Sequence, residues 1–248
     1  MRLSGKIAIV TGGGSGFGAG IVEKFCAEDA RVIVADLNAE AAAEVAARFP
    51  GQAEPCQIDV AQANDVTKLA DLVAERGNGL DILVNNAGIG HLPKPLEEVS
   101  EAEFIRLFQV NVKSVFLTAR AFVPLFKAQK SGAILNVAST AGVSPRPNLT
   151  WYNVTKGAMI TATKSMAVEL APFGIRVNAI NPVAGETPLL KTFMGEDTPE
   201  IRAKFLSTIP IGRFSTPEDM GNAACFLCSD EASMVTGVAM EVDGGRCV

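Results

Sequence analysis

Histidine, tyrosine and tryptophan each occur once in this chain of 248 residues. A lone histidine, His91, removes the ligands from which most histidine-built metal centres are made, so no metal is expected. Cysteine is sparse and odd in number. Cys26, Cys56, Cys225, Cys228 and Cys247 are scattered, which argues against a complete disulfide framework. Cys225 and Cys228 form a single C-x-x-C with no second pair, a spacing that suits one buried helix face. Basic runs are missing as well: 22 Lys and Arg stand against 27 Asp and Glu, a net charge of −5, which disfavours nucleic acid as a partner. No apolar run reaches membrane-spanning length, so no membrane partner is expected. Met1-Arg2-Leu3-Ser4-Gly5-Lys6 runs straight into a strand-like segment without the succession of a secretory leader, and the expected location is the cytoplasm.

What is present is a hydrophobic content of 48%, enough for a sizeable core without staples. Short Val- and Ile-rich runs alternate with helical patterns from end to end. Strands are expected at Lys6–Thr11, Arg31–Ala35, Glu54–Ile58, Asp81–Val84, Ala133–Ala138, Ile175–Ile180 and Val238–Val242. Helices are expected at Gly16–Asp29, Ala39–Phe49, Asn64–Glu75, Ser100–Gln129, Trp151–Leu170 and Pro217–Cys228. Such alternation predicts an α/β chain with a seven-stranded parallel sheet, helices on both faces and right-handed crossovers, a doubly wound fold. No linker or composition break interrupts it, so residues 1–248 read as one domain. The least regular stretch, Pro182–Pro210, follows a strand end and is expected to be a mobile lid over a substrate.

Thr11-Gly12-Gly13-Gly14-Ser15-Gly16-Phe17-Gly18 lies between the first strand and the first helix. Glycines there let the backbone turn tightly beside a pyrophosphate, and the helix start supplies free N–H groups to it. Gly12, Ser15, Gly16, Phe17 and Gly18 are therefore candidate dinucleotide contacts. The second strand ends at Asp36. An acidic residue there accepts hydrogen bonds from the ribose hydroxyls and repels a 2′-phosphate. Neither Leu37 nor Gly13, Gly14 or Ser15 offers a cation for such a phosphate, so NAD is favoured over NADP. A helix-capping role for Asp36 is compatible with this.

The single tyrosine, Tyr152, precedes Lys156 by four residues, which puts both on one helix face. A phenol titrates near 10 and is a poor acid–base group at neutrality. A neighbouring ammonium favours the phenolate and is expected to draw the Tyr152 pKa down, making the pair a proton-transfer device.

Taken in order, these residues resemble the short-chain dehydrogenase/reductase family in its compact form, over essentially the whole chain. The loop matches the family's Thr-Gly-x-x-x-Gly-x-Gly pattern. Asp59-Val60 matches its adenine-contacting pair, and Asn85-Asn86-Ala87-Gly88 the segment after the fourth strand. Asn111, Ser139, Asn181-Pro182, Thr187 and Asp243-Gly244-Gly245 match further positions. The resemblance implies the Rossmann arrangement and a catalytic set of Asn111, Ser139, Tyr152 and Lys156. Tyr152 would be the general acid/base. Ser139 would hydrogen-bond the same substrate oxygen. Lys156 would lower the Tyr152 pKa and hold the nicotinamide ribose, and Asn111 would anchor a water chain through Lys156. It also implies cofactor contacts from Asp36, Leu37, Asp59, Val60, Asn86, Ala87, Gly88, Tyr152, Lys156, Pro182, Val183, Gly185 and Thr187. Two positions depart from the pattern. Val183 stands where the family has glycine, which puts the local backbone in question, and Phe17 replaces an aliphatic residue.

The substrate reading stays open between classes. One is NAD-dependent oxidation of a secondary or benzylic alcohol, a sugar or an aldehyde; the segment from Glu186 to Ser207 resembles members that act on glucose or formylbenzenesulfonate. The second is reduction of 3-oxoacyl thioesters on acyl carrier protein, against which Asp36 and the acidic balance count. An enoyl reductase spaces its Tyr and Lys more widely. The third is a non-catalytic NAD-binding regulator, which would need a lost catalytic residue. Candidate pocket residues are His91, Leu92, Thr140, Ala141, Arg146, Asn148, Trp151, Glu186, Leu189, Leu190, Phe193 and Met194. His91 either reaches the substrate or is an exposed loop histidine, and Arg146 and Lys94 could favour an anionic group but read first as exposed solubilising charge. The resemblance implies a homotetramer, with the Ser100–Gln129 and Trp151–Leu170 helices at one interface and the C-terminal segment at another.

Overall fold

The computed structural model describes all 248 residues. The strands are β1 (Ile7–Thr11), β2 (Arg31–Asp36), β3 (Ala53–Gln57), β4 (Ile82–Asn85), β5 (Gly132–Val137), β6 (Ile175–Pro182) and β7 (Ala239–Val242). The helices are α1 (Gly16–Ala27), α2 (Ala39–Ala47), α3 (Ala63–Arg76), α4 (Glu101–Phe108), α5 (Ser114–Gln129), α6 (Thr150–Leu170), α7 (Pro188–Met194), α8 (Pro199–Leu206) and α9 (Pro217–Cys228). All seven strands are parallel, in the order β3-β2-β1-β4-β5-β6-β7. This is the doubly wound arrangement that the alternating pattern predicts.

The strands bury both faces, so their apolar residues split by parity. Ala8, Val10, Val32, Val34, Ile82 and Val84 pack with α1, α2 and α9 in one core. Ile9, Ile33, Ala35 and Leu83 pack with α3, α5 and α6 in the other. Cys225 and Cys228 are both buried in the first core. The edge strand β3 carries Pro55, which a sheet edge tolerates because one side needs no ladder donor. No helix is long and apolar enough to cross a membrane.

Two expectations need correction. The stretch Ser100–Gln129 is not one regular helix: α4 begins at a Ser100/Glu103 capping box, and a single wide π turn at Gln109–Lys113 separates it from α5. Such a turn inserts extra backbone into a helix and is concentrated at functional sites; here it carries Asn111. The stretch Pro182–Pro210 is also more ordered than its composition suggests. It holds α7 and α8, each opened by a Thr-Pro pair with Thr187 or Thr198 as the cap position and proline at the first helical position. These helices enclose a small core of Val183, Leu190, Met194, Ile209 and Phe214. The β6 strand continues past Ile180 to Pro182, paired with Val242 of β7.

Candidate active site

The strand order reverses between β1 and β4, and a crevice opens beyond the carboxyl ends of strands at such a switch point. A cleft of about 640 Å³ lies there. Its floor is tied by side-chain to backbone bonds. Asn86 Nδ2 donates to the Thr11 and Gly12 carbonyls at 2.9 and 3.0 Å. Thr11 Oγ1 accepts from the Asn86 and Ala87 amides at 3.0 and 3.1 Å. Gly18 admits no side chain, because a Cβ there would stand 2.0 Å from the Gly12 carbonyl oxygen. The helix α1 therefore starts hard against the end of β1, with its free amides at the cleft. Ser15 is the cap residue, yet its hydroxyl makes no capping bond.

Asp36 closes β2 with both oxygens engaged: Oδ2 accepts from Gly14 N and Oδ1 from Asn38 N, each at 2.9 Å. Capping of α2 falls to Asn38, whose Oδ1 takes the Glu40 and Ala41 amides. Asp36 thus braces the glycine loop while its carboxylate lines the cleft. Leu37, Asp59 and Val60 line the same end. Gly88, Pro182, Val183, Gly185 and Thr187 also line the cleft, with Gly185 against the Phe17 ring and Thr187 against Gly16. Val183 shows no left-handed backbone. Its side chain is buried in the small core under α7 and α8, so valine is accommodated without strain.

Ser139, Tyr152 and Lys156 all line the cleft beside these groups. Ser139 follows β5 and its Oγ accepts from Ala141 N at 3.0 Å, which starts the tight turn Thr140–Gly142. Tyr152 and Lys156 sit on buried faces of α6. Burial pushes the Tyr152 phenol up to about 12, while the Ser139 hydroxyl and the Arg146 charge pull it down. Burial pushes the Lys156 ammonium down to about 8. The expected lowering of Tyr152 by Lys156 is not what this geometry delivers. Lys156 Nζ lies 5.9 Å from the ring centroid and donates to the Val137 carbonyl at 3.0 Å. Desolvation of a fully enclosed phenol outweighs that distant charge.

Asn111 does not line the cleft; it stands behind it. Its Nδ2 donates to Ile89 O at 2.9 Å and to Thr155 Oγ1 at 3.0 Å, and its Oδ1 accepts from Ile89 N at 2.9 Å. Gly88 keeps the space in front of it clear: a Cβ there would lie 3.4 Å from both Asn111 Oδ1 and Lys156 Nζ.

Beneath these residues runs a buried polar chain that the sequence reading missed. Thr118 Oγ1 donates to Asn85 Oδ1, Asn85 Nδ2 to Asn136 Oδ1, and Asn136 Nδ2 to Thr163 Oγ1, at 2.8, 2.9 and 2.8 Å. It locks β4 and β5 to α5 and α6 under the site. Asn85 and Asn136 sit at the ends of otherwise apolar strands, and that break in the pattern was the available signal.

On the substrate side the candidates separate. Thr140, Ala141, Arg146, Leu189, Leu190 and Phe193 line the cleft. Trp151 points elsewhere, its indole N–H on the Leu96 carbonyl and its ring edge-on to Phe104. His91 is buried rather than an exposed loop residue, with Nδ1 2.8 Å from the Leu92 carbonyl. Met194 belongs to the small core under α7 and α8, and Leu92, Asn148 and Glu186 are exposed. Lys94 is tied to Glu103 in an ion pair. Leu149 and Thr192 line the cleft without having been singled out. Phe193 packs its ring 4.9 Å from that of Tyr152, so α7 roofs the site.

Comparison with known proteins gives the arrangement its relatives. Residues 12–246 match a family model described as enoyl-(acyl carrier protein) reductase. The chain is 49% identical to 4-formylbenzenesulfonate dehydrogenase of Comamonas testosteroni, over 99% of each chain. It is 40% identical to 7α-hydroxysteroid dehydrogenase of Escherichia coli, covering 99% of this chain and 95% of that one. The crystal structure of a 3-ketoacyl-(acyl-carrier-protein) reductase from Brucella melitensis complexed with NADH superposes with a TM-score of 0.95 at 47% identity, over 99% of this chain and 100% of that one. With the glycine loop, the β1–β4 crevice and the Tyr152/Lys156 face of α6 all in one cleft, these matches make the chain a member of the short-chain dehydrogenase/reductase family.

Proposed function

We propose that the protein oxidises a secondary or benzylic alcohol, or a sugar or aldehyde of similar size, with Tyr152 as the general acid/base. It is an NAD-dependent oxidoreductase acting on CH–OH groups. The observation that carries the assignment of roles is that Ser139, Tyr152 and Lys156 converge at the edge of the same cleft as the glycine loop and Asp36.

The residues suit the dinucleotide. The α1 amides and the free Ser15 hydroxyl answer a pyrophosphate, the Asp36 carboxylate answers ribose hydroxyls, and neither Leu37 nor the glycine loop carries a cation. Asp59, Val60, Asn86, Ala87, Pro182, Val183, Gly185 and Thr187 complete its walls. NAD, when bound, supplies the hydride acceptor. The chain manages the proton. Ser139 Oγ holds the substrate oxygen, and Tyr152 removes its proton as the C–H bond breaks. A phenol held near 12 needs help to ionise. The Arg146 guanidinium bears on it, the Lys156 ammonium stands further off at 5.9 Å from the ring, and an oxidised nicotinamide would add positive charge when bound. Asn111 braces α6 through Thr155, whose Oγ1 also donates to the Tyr152 carbonyl at 2.7 Å. The gap over Gly88 gives a water room to carry the proton away past Lys156.

The same proposal takes residues 1–248 as one domain with a lid at 182–210, a cytoplasmic location that suits the five unpaired cysteines, and a homotetramer. Phe116 on α5, Val154 and Val168 on α6, and the C-terminal Val248 expose apolar surface that subunit contacts would cover. Light scattering giving a mass near 26.0 kDa would rule the tetramer out.

The test is NADH formation across a panel of alcohols, sugars and aldehydes, with NAD and NADP side by side and Tyr152→Phe as control. Turnover with NAD that is lost in the variant is expected; a clear NADP preference would overturn the cofactor reading. A second reading, reduction of 3-oxoacyl thioesters, is favoured by the identity to the Brucella reductase. An acetoacetyl thioester with NADH separates the two.

A further inference from the structure

Arg146 is a cation on the substrate side of the cleft whose charge no protein group answers. It lies between Pro145 and Pro147, half-buried on the wall that also holds Tyr152. Arg2, Arg48, Arg76, Arg202 and Arg213 each pair with a carboxylate. Arg176 is satisfied by backbone carbonyls. Arg146 does neither, like Arg31, Arg106 and Arg120, but those three are exposed to solvent and Arg146 is half-buried. Its only hydrogen bond is through its own carbonyl, which accepts from Asn153 Nδ2 at 2.8 Å. The charged and titratable groups bearing on it are Arg246, Tyr152 and Cys247, with no carboxylate among them. Arg246 reaches the same loop from the C-terminal segment, its Nη1 donating to Ser144 Oγ at 3.2 Å while its Nε is buried with no partner. Partly desolvating a guanidinium beside a second one is unfavourable unless an anion arrives. The remaining contact of Arg146 is the Phe205 ring of α8, 4.7 Å from guanidinium carbon to centroid, which joins the Tyr152 wall to the lid.

We propose that Arg146 is a specificity-determining residue that binds an anionic group of the substrate, a sulfonate or carboxylate carried on the same ring or chain as the reacting hydroxyl. Its planar fork matches two oxygens of either group. Arg246 adds positive potential from behind, and the Phe205 contact couples arrival of the anion to the lid. This inference rests on the dehydrogenase reading above, since it places the anion at the far end of a substrate whose hydroxyl meets Tyr152.

The experiment compares wild type with Arg146→Gln on a matched pair, 4-(hydroxymethyl)benzenesulfonate and 4-methylbenzyl alcohol, at saturating NAD. Wild type is expected to prefer the sulfonate. Arg146→Gln should lower the sulfonate-to-neutral ratio of kcat/KM by roughly 10- to 100-fold, chiefly through KM. Arg146→Lys should recover part of it, because an ammonium restores charge without the fork. Using the ratio cancels any effect of Arg146 on Tyr152, which strikes both substrates alike. An unchanged ratio overturns the proposal. If neither alcohol reacts, the benzylic form of the dehydrogenase reading fails on its own, and calorimetry with p-toluenesulfonate on the NADH complex decides the anion site. Weaker binding to Arg146→Gln than to wild type supports the site, and equal or absent binding overturns it.

Discussion

At the nucleotide end of the cleft the walls are backbone tied down by short polar side chains. Asn86 and Thr11 lace β1 to β4, Asp36 grips Gly14, and Gly18 stands against the Gly12 carbonyl. At the substrate end the walls are side chains leaning on one another. Phe193 lies on Tyr152, Arg146 on Phe205, and Leu190 in the small lid core. The first construction ties the cleft's shape to the fold, since altering it breaks strand ends. The second leaves shape to whichever side chains α7 and α8 present. A common cofactor suits the first, and substrates that vary among relatives suit the second.

The residue where the two ends meet should show the largest effect. Tyr152→Phe is expected to lower kcat by roughly 100- to 10,000-fold, with NADH affinity kept when followed by fluorescence. Loss of NADH binding in that variant would mean that Tyr152 belongs to the nucleotide end. Next comes the nucleotide end itself. Asp36→Ala combined with Leu37→Arg should move the NAD-to-NADP preference by about 100-fold or more, through removal of a repulsive carboxylate and gain of a cation. The substrate-to-substrate ratio should stay put, and if it moves too, the two ends are coupled.

A smaller effect is expected from the lid. Phe193→Ala removes a ring contact with Tyr152 of about 0.5–1.5 kcal/mol, so substrate KM should change by roughly 2- to 12-fold. NADH titration should be unaltered. The smallest effect is on stability. Burial holds Lys156 at about 8 against an ordinary value of 10.5. The folded state is therefore penalised for a charged lysine below about pH 8, and the penalty fades as pH rises from about 8 to 10.5. Lys156→Met should unfold later at neutral pH by roughly 1–2 kcal/mol, net of the lost Val137 bond, while turnover collapses. The advantage should shrink above pH 8, and a variant less stable at pH 7 would show that the ammonium is well accommodated.

Legibility in the sequence followed the same division. Residues 11–18 and Asp36 were readable because a phosphate loop needs glycines at set offsets between a strand and a helix. Tyr152 and Lys156 were readable because helical spacing puts them on one face. The π turn at Asn111 was not, since the run from Ser100 to Gln129 keeps a helical pattern on both sides of it. The Thr-Pro starts of α7 and α8 were present in the letters but were outweighed by Gly185, Gly195 and short length. Arg146 was read first as an exposed charge and only second as a partner for an anionic group, because nothing local distinguishes a solvated arginine from one turned into a cleft.

The sequence by itself determined the seven strands and the helices that cross between them, the parallel sheet, the glycine loop and the family, since each rests on periodicity or on residues at set offsets along the chain. Only the tertiary structure decided the protonation behaviour of Tyr152 and Lys156, the support of Asn111 from behind, the roof of Phe193 and the unanswered charge of Arg146. Those depend on burial and on distances between residues far apart in the chain, and desolvation and Coulomb energies exist only once the chain has closed around them.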